Sequence, residues 1–212
     1  MKKAVSPLII FLCLTASICI AAVPKPAIVE KPNEWTADVR FTHPQQILLN
    51  TENGKPVRFW YSIITVTNNT NREVEFYPRC EVLTDTFQLI TAGNGTPDEV
   101  FNAIKKRHIG TYPFLELLEK TGNKLIIGED NAKDIVITWP DFDPQAKAIK
   151  VFISGLSNEI AVVDHPLLKQ DDGKAERVFL RKTLELDYDL GGDPAFRNDT
   201  KLDYAAKTWI MR

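Results

Sequence analysis

The sequence predicts a mainly β protein, an antiparallel β-sandwich with a short two-helix insertion. Three observations predict it. Short runs of aromatic and β-branched residues recur between turn formers along most of the chain. The run Phe59-Trp60-Tyr61-Ser62-Ile63-Ile64-Thr65-Val66-Thr67 carries large side chains on both of its alternating faces, as a strand inside a sheet does. The apolar spacing becomes helical only between 97 and 121.

The chain opens on an export signature. Lys2 and Lys3 precede an apolar run over 8–20, and Ala21-Ala22 offers a cleavage site ahead of Pro24 and Pro26. The run is shorter than the ~20 residues that span a bilayer. Residues 1–22 are therefore expected to be a secretory signal peptide that meets the membrane only transiently, and 23–34 an extended linker. Neither Cys13 nor Cys19 follows the small residues that a lipid anchor requires. Cleavage after Ala22 leaves 190 residues, with Cys80 as the one cysteine, and moves the formal net charge from −2 to −4. A single cysteine closes no internal disulfide, so stability rests on the core. Mild acidity argues against nucleic-acid binding, which needs a basic footprint. Residues 35–212 are expected to form a single sandwich domain, with the helical insertion at 97–121.

In order along that domain, 35–41 reads as a first strand and 45–49 as a short second one after a break at His43-Pro44. Glu52-Asn53-Gly54-Lys55 is a hairpin signal, because Asn-Gly accepts the positive φ such turns need. The long strand follows. It ends at Asn68-Asn69-Thr70-Asn71, and 73–77 is expected to fold back on it as a hairpin. Strands are then expected over 81–84 and 87–91.

Thr96 as N-cap, Pro97 as first helical residue and Glu99 as the reciprocal acid predict a capped helix. Its stripe is Val100, Phe101 and Ile104, and Lys105 to His108 suit the negative end of its dipole, with Gly110 closing it. A second helix is expected over 113–120, closed by Gly122, with Leu115, Leu117 and Leu118 facing the core. Strands return at 125–127, 134–139, 148–154 and 159–163. A polar loop is expected from His165-Pro166 to Lys174. Residues 177–190 alternate cleanly, with Lys182 interrupting the apolar face and Phe179 the polar one, over a length that allows the strand to bend. A turn or bulge is expected near Ala206-Lys207, where the alternation of the last strand slips.

Chemical motifs are scarce. The chain holds no Gly-x-Ser-x-Gly elbow, no Gly-rich phosphate loop and no His-Glu-x-x-His helix. His43, His108 and His165 lie at turns or helix ends, far apart in sequence. Glu129, Asp130 and Asp134 form one acidic cluster, Asp141 and Asp143 a second, Asp171 and Asp172 a third. The first two sit at opposite ends of one strand, about 20 Å apart by strand rise, and share no ion. Turn-forming roles account for them, and no cleft is indicated for a glycosidase pair. Cys80 reads as a small buried hydrophobe. Trp35, Trp60, Trp139 and Trp209 read as core. Asn68, Asn94 and Asn198 begin glycosylation sequons, which carry no weight beside a bacterial-looking signal. No catalytic, cofactor-binding or metal-ligating residue is assigned, and no cofactor is expected.

The body from Phe59 onward resembles a group of uncharacterised secreted bacterial proteins. The resemblance rests on Thr67-Asn68-Asn69-Thr70 before Val74-Glu75-Phe76, on Tyr112-Pro113-Phe114-Leu115-Glu116, and on Gly128-Glu129-Asp130-Asn131-Ala132. It rests also on 151–158, on Leu180-Arg181-Lys182-Thr183-Leu184, and on Trp209-Ile210-Met211-Arg212. A strand ending in Thr-Asn-Asn-Thr is similar to those of immunoglobulin-like extracytoplasmic domains. The resemblance implies an exported immunoglobulin-like β-sandwich and no activity. The absence of a Cys…Trp…Cys pattern excludes only the antibody type. The expected role is a non-enzymatic module, periplasmic or extracellular, that binds an envelope or periplasmic protein. The alternative is a ligand-binding module for carbohydrate or a divalent cation.

Overall fold

The structure, a computed structural model, describes residues 33–50, 56–93, 95–169, 172–192 and 200–212. Its strands are β1 (Asp38–Phe41), β2 (Gln45–Asn50), β3 (Pro56–Thr67), β4 (Val74–Glu75), β5 (Arg79–Thr84), β6 (Leu89–Ala92), β7 (Glu116–Leu117), β8 (Lys124–Leu125), β9 (Lys133–Pro140), β10 (Ala148–Ser154), β11 (Ile160–Lys169), β12 (Ala175–Leu190) and β13 (Leu202–Met211). One α-helix, α1 (Asp98–His108), lies between β6 and β7. The protein is mainly β, and every strand pair is antiparallel except β7 with β9.

The long apolar run becomes β3, well inside its sheet as its two-faced pattern predicts. β1 and β2 share one edge of β3, β9 lies along the other, and β7 adds beyond β9. The break at His43-Pro44 separates β1 from β2. The Asn53-Gly54 turn lies outside the described residues, although Asn50 pairs with Pro56 on either side of it. A second sheet runs β13, β12, β10, β5, β6, with β11 on the first half of β12. The two sheets bury one core between them. Trp60, Ile64, Val66, Ile135, Ile137 and Trp139 come from the first, and Val82, Val151, Ile153, Leu184, Leu186 and Tyr188 from the second.

The other face of the first sheet has its own cover. Tyr61 and Ile63 of β3 and Val136 of β9 meet Val100 and Ile104 of α1. Both faces of β3 are thus dry, which is why its sequence shows no polar side.

Several expectations are corrected. The hairpin of 73–77 with the long strand does not form: β4 pairs with β8 instead. Both edges of β3 are already taken, and the buried Asn68 amide holds the loop elsewhere. Its Nδ2 donates to Arg72 O and Leu125 O, each at 2.9 Å, while its Oδ1 accepts from Thr70 N and Oγ1.

The second helix of the insertion, 113–120, is absent. Extended β7 and a 3-10 turn at Leu118–Lys120 replace it. Leu117 enters the helix-side core and Leu118 the inter-sheet core. Adjacent residues that point to opposite sides require extended chain.

The capping box is also absent. Pro97 is the N-cap, and no side chain caps the helix. The Thr96 hydroxyl bonds instead to that of Thr138, a buried residue of β9. Gly110 does not close the helix in the left-handed region; Thr111 and Tyr112 N–H both return to His108 O.

Finally, His165 to Lys169 continue β11 rather than open a loop. His165 Nδ1 accepts from Leu167 N and Leu168 N around Pro166, which lacks an N–H, and the register slips there. The slip expected near Ala206 falls one residue earlier. Ala206 pairs with Asp187 and Tyr204 with Tyr188, which leaves Ala205 as the extra residue.

Candidate interaction surface

Residues that break the patterns of their own elements mark the surface of interest. β12 is 16 residues long and serves two roles. From Thr183 to Leu190 its apolar residues enter the core between the sheets, with β10 on one edge and β13 on the other. Ahead of Lys182 it pairs with β11, from Ile160↔Arg181 out to Lys169↔Ala175, and on its other edge Arg181 alone is bonded, to the backbone of Arg212. The change occurs at Lys182, the residue that interrupts the apolar face. Its ammonium pairs with Glu159, donates to Thr36 Oγ1 at 2.9 Å and lies 5.4 Å from the Trp209 ring. This polar clamp marks the rim of the core.

Beyond the rim, β11 and the first part of β12 form a two-stranded arm. One face carries the pairs Ile160↔Arg181, Val162↔Phe179 and Asp164↔Arg177; the other carries Ala161↔Leu180 and Val163↔Val178. Apolar side chains on both faces stand in solvent: Phe179 is 62% exposed, Leu167 84%, and Val162 and Val163 43% each. The outer edge of β11 and that of β12 over 175–180 have no strand partner among the described residues. A lone two-stranded ribbon is marginal in water, and apolar residues on both of its sides have no core to join.

At the arm's root, its Phe179 face runs on into the outer face of the second sheet. There Tyr77, Arg79, Phe152, Ser154, Arg181 and Arg212 line a groove of about 540 Å³. Arg212 stacks on Phe152 at 4.2 Å and pairs with Glu81 at 2.5 Å. Arg79 and Arg181 make no ion pair among the described residues.

The other residues weighed in the sequence occupy structural positions. Cys80 is buried, and burial with the nearby Glu81 pushes its thiol pKa far up. Asp141 accepts from Trp60 Nε1 and Arg58, Asp134 from Thr65 Oγ1, Asp143 from Gln145 N, and Asp172 pairs with Lys174. Among the described residues no three His, Cys, Asp or Glu side chains gather to hold a metal. The Asn68 sequon is consumed by the loop described above; Asn94 and Asn198 lie outside the described residues, as does Asp171. His43 packs 5.0 Å from Tyr204 and 5.9 Å from Tyr188.

His108 and Arg107 converge on the buried Tyr61 hydroxyl, at 2.9 and 3.1 Å, and that hydroxyl donates to Gln45 Oε1 at 2.9 Å. With its proton given to Gln45, the phenol accepts from His108 Nε2–H. Burial, and then Arg107, lowers the His108 pKa below its ordinary 6.5. Below about pH 6.5 the unfolded chain binds this proton more readily than the native one, so the native state loses stability as pH falls. His108→Gln is expected to flatten that slope, measured as urea midpoints from pH 7.5 down to 5. A slope identical to wild type would remove His108 from the account.

The arm is not legible in the sequence, where 165–174 reads as a polar loop although β11 runs through Lys169. Phe179 on a polar face and Leu167-Leu168 beside Pro166 were its visible signals. Compared with family models, curated proteins and solved structures, the chain matches none.

Proposed function

We propose that this chain is a non-enzymatic, exported module of the cell envelope or periplasm that binds another protein through the β11–β12 arm. The observation that carries this reading is the arm itself: apolar side chains on both faces, joined to no core. Monomeric surfaces seldom expose so much apolar area together unless something covers it. The immunoglobulin-like form of the sandwich belongs to the same reading. It is supported by the first strand, which crosses between sheets. Ala37 N–H bonds to Leu156 O in the second sheet's β10–β11 link at 2.8 Å, and Asp38 onward joins β3. Export is supported by the basic, apolar, small-residue order of 1–22.

A photo-crosslinking residue at Phe179 in producing cells tests the reading. One reproducible protein adduct is expected, absent when the probe sits at the exposed Lys106 of α1. Equal labelling from both positions would overturn it. The groove beside Arg79 and Arg181 supports a second reading, a site for an acidic sugar stacked on Tyr77. Loss of glycan binding in Arg181→Ala would favour it.

A further inference from the structure

Resting on that reading, we propose that the protein covering the arm is a second copy of this chain, paired arm to arm about a two-fold axis.

The first argument is self-complementarity. On the Phe179 face, Val162 stands beside Phe179 and Asp164 beside Arg177, as cross-strand pairs. A two-fold axis running along the arm exchanges the two strands. It lays Val162 of one copy over Phe179 of the other, and Asp164 of one over Arg177 of the other. At these two pairs apolar groups meet apolar groups and acid meets base, twice each, and the third pair of the face lays Ile160 over the aliphatic stem of Arg181, as an isologous interface allows. Most surfaces placed against themselves fail this test, because a charge meets its own copy.

Charge balance agrees. Over 160–181 the sequence holds Lys169, Lys174, Arg177 and Arg181 against Asp164, Asp171, Asp172 and Glu176. The net charge of this segment is zero within a chain of net −2, so two arms approach without repulsion.

Area is the third argument. On the pairing face Ile160, Val162 and Phe179 are 44%, 43% and 62% exposed. Together they present on the order of 300 Å² of apolar surface, and the stems of Asp164, Arg177 and Arg181 beside them extend the patch toward the roughly 800 Å² per partner of a stable interface.

The arm also limits how far association proceeds. Pro166 and Lys169 lie on the free edge of β11, and a proline and a lysine there oppose open-ended strand addition. Face-to-face pairing about one axis closes at two copies.

The test is a charge exchange followed by analytical ultracentrifugation of the purified protein. Wild type is expected to sediment as a dimer at tens of micromolar. Arg177→Asp alone leaves two acids facing two acids, and Asp164→Arg alone two bases facing two bases, so each is expected to shift to monomer. Mixing the two variants restores both acid–base contacts and is expected to restore the dimer. Far-UV circular dichroism on each variant establishes that the sandwich is intact, and Phe179→Asp supplies a second, uncharged-to-charged disruption. A wild-type monomer across this range, or a dimer indifferent to all three substitutions, would overturn the proposal. A monomer whose Phe179 probe still captures a different protein in cells would overturn only the second copy and leave the interaction reading standing. A monomer with no Phe179 adduct would overturn both.

Discussion

Gly155→Ala is expected to destabilise the fold by at least about 4 kcal/mol, the range reached when strain and a hard clash coincide. Gly155 follows β10, where the chain leaves the second sheet for the link to β11. Its φ is +79°, a region that L side chains rarely adopt. A Cβ built there would lie 2.1 Å from Tyr77 O and 2.6 Å from Tyr77 C. These are backbone atoms held at the entry to β5, so no side-chain rotation relieves the contact. The control is Gly173→Ala. That glycine has nearly the same φ, +80°, and nothing within 4 Å of the added carbon. It should lose only the left-handed penalty, about 1–2 kcal/mol. Urea unfolding of both variants separates conformation from close approach. Equal losses would mean that the Tyr77 backbone yields and that Gly155 is needed for its φ alone.

How much of this was legible in the sequence depended on whether a residue answers to its own neighbours or to distant chain. β3, β9, β10 and the inner half of β12 read cleanly, because period-two alternation against one core is a local pattern. The second face of β3 was legible too: Tyr61 and Ile63 announce a cover, although not that α1 supplies it. The hairpin of 73–77 with the long strand failed because turn chemistry at Asn68 looks local while its amide bonds to Leu125, 57 residues on. The capping box failed the same way, when Thr96 turned to Thr138. Residues 113–120 failed because leucine carries high helix propensity, and placing Leu117 and Leu118 in two different cores overrode it. The arm was hidden for the opposite reason. Its residues obey strand alternation but answer to no core in this chain, so 165–174 reads by its polarity as a loop. Phe179 on a solvated face is the departure that marks it. Such departures are where function tends to sit, since a surface residue that breaks its element's pattern must be explained by something outside the element.

Trp60→Ala is expected to cost about 3–5 kcal/mol, the range for removing a large buried aromatic. Trp60 is 1% exposed, on the face of β3 that looks into the inter-sheet core. Its ring lies 5.5 Å from that of Phe142, in the turn after β9, and its Nε1 donates to Asp141 Oδ1 at 2.9 Å. Asp141 also accepts from Arg58 at 2.8 Å, two residues before Trp60 on β3. One indole therefore fills the core and fixes the β9–β10 turn. Trp60→Phe divides the two contributions: most of the ring remains while the bond to Asp141 goes, for a loss of about 1–2 kcal/mol. If alanine and phenylalanine prove equally costly in urea unfolding, the polar anchor outweighs the packing. If alanine costs under about 1 kcal/mol, β3 is not the strand on which the two cores depend. The pairing of β3 with β1, β2 and β9 and its dry contact with α1 argue for the full loss. A cavity at Trp60 opens beneath a sheet whose other face is packed against α1, which limits its collapse.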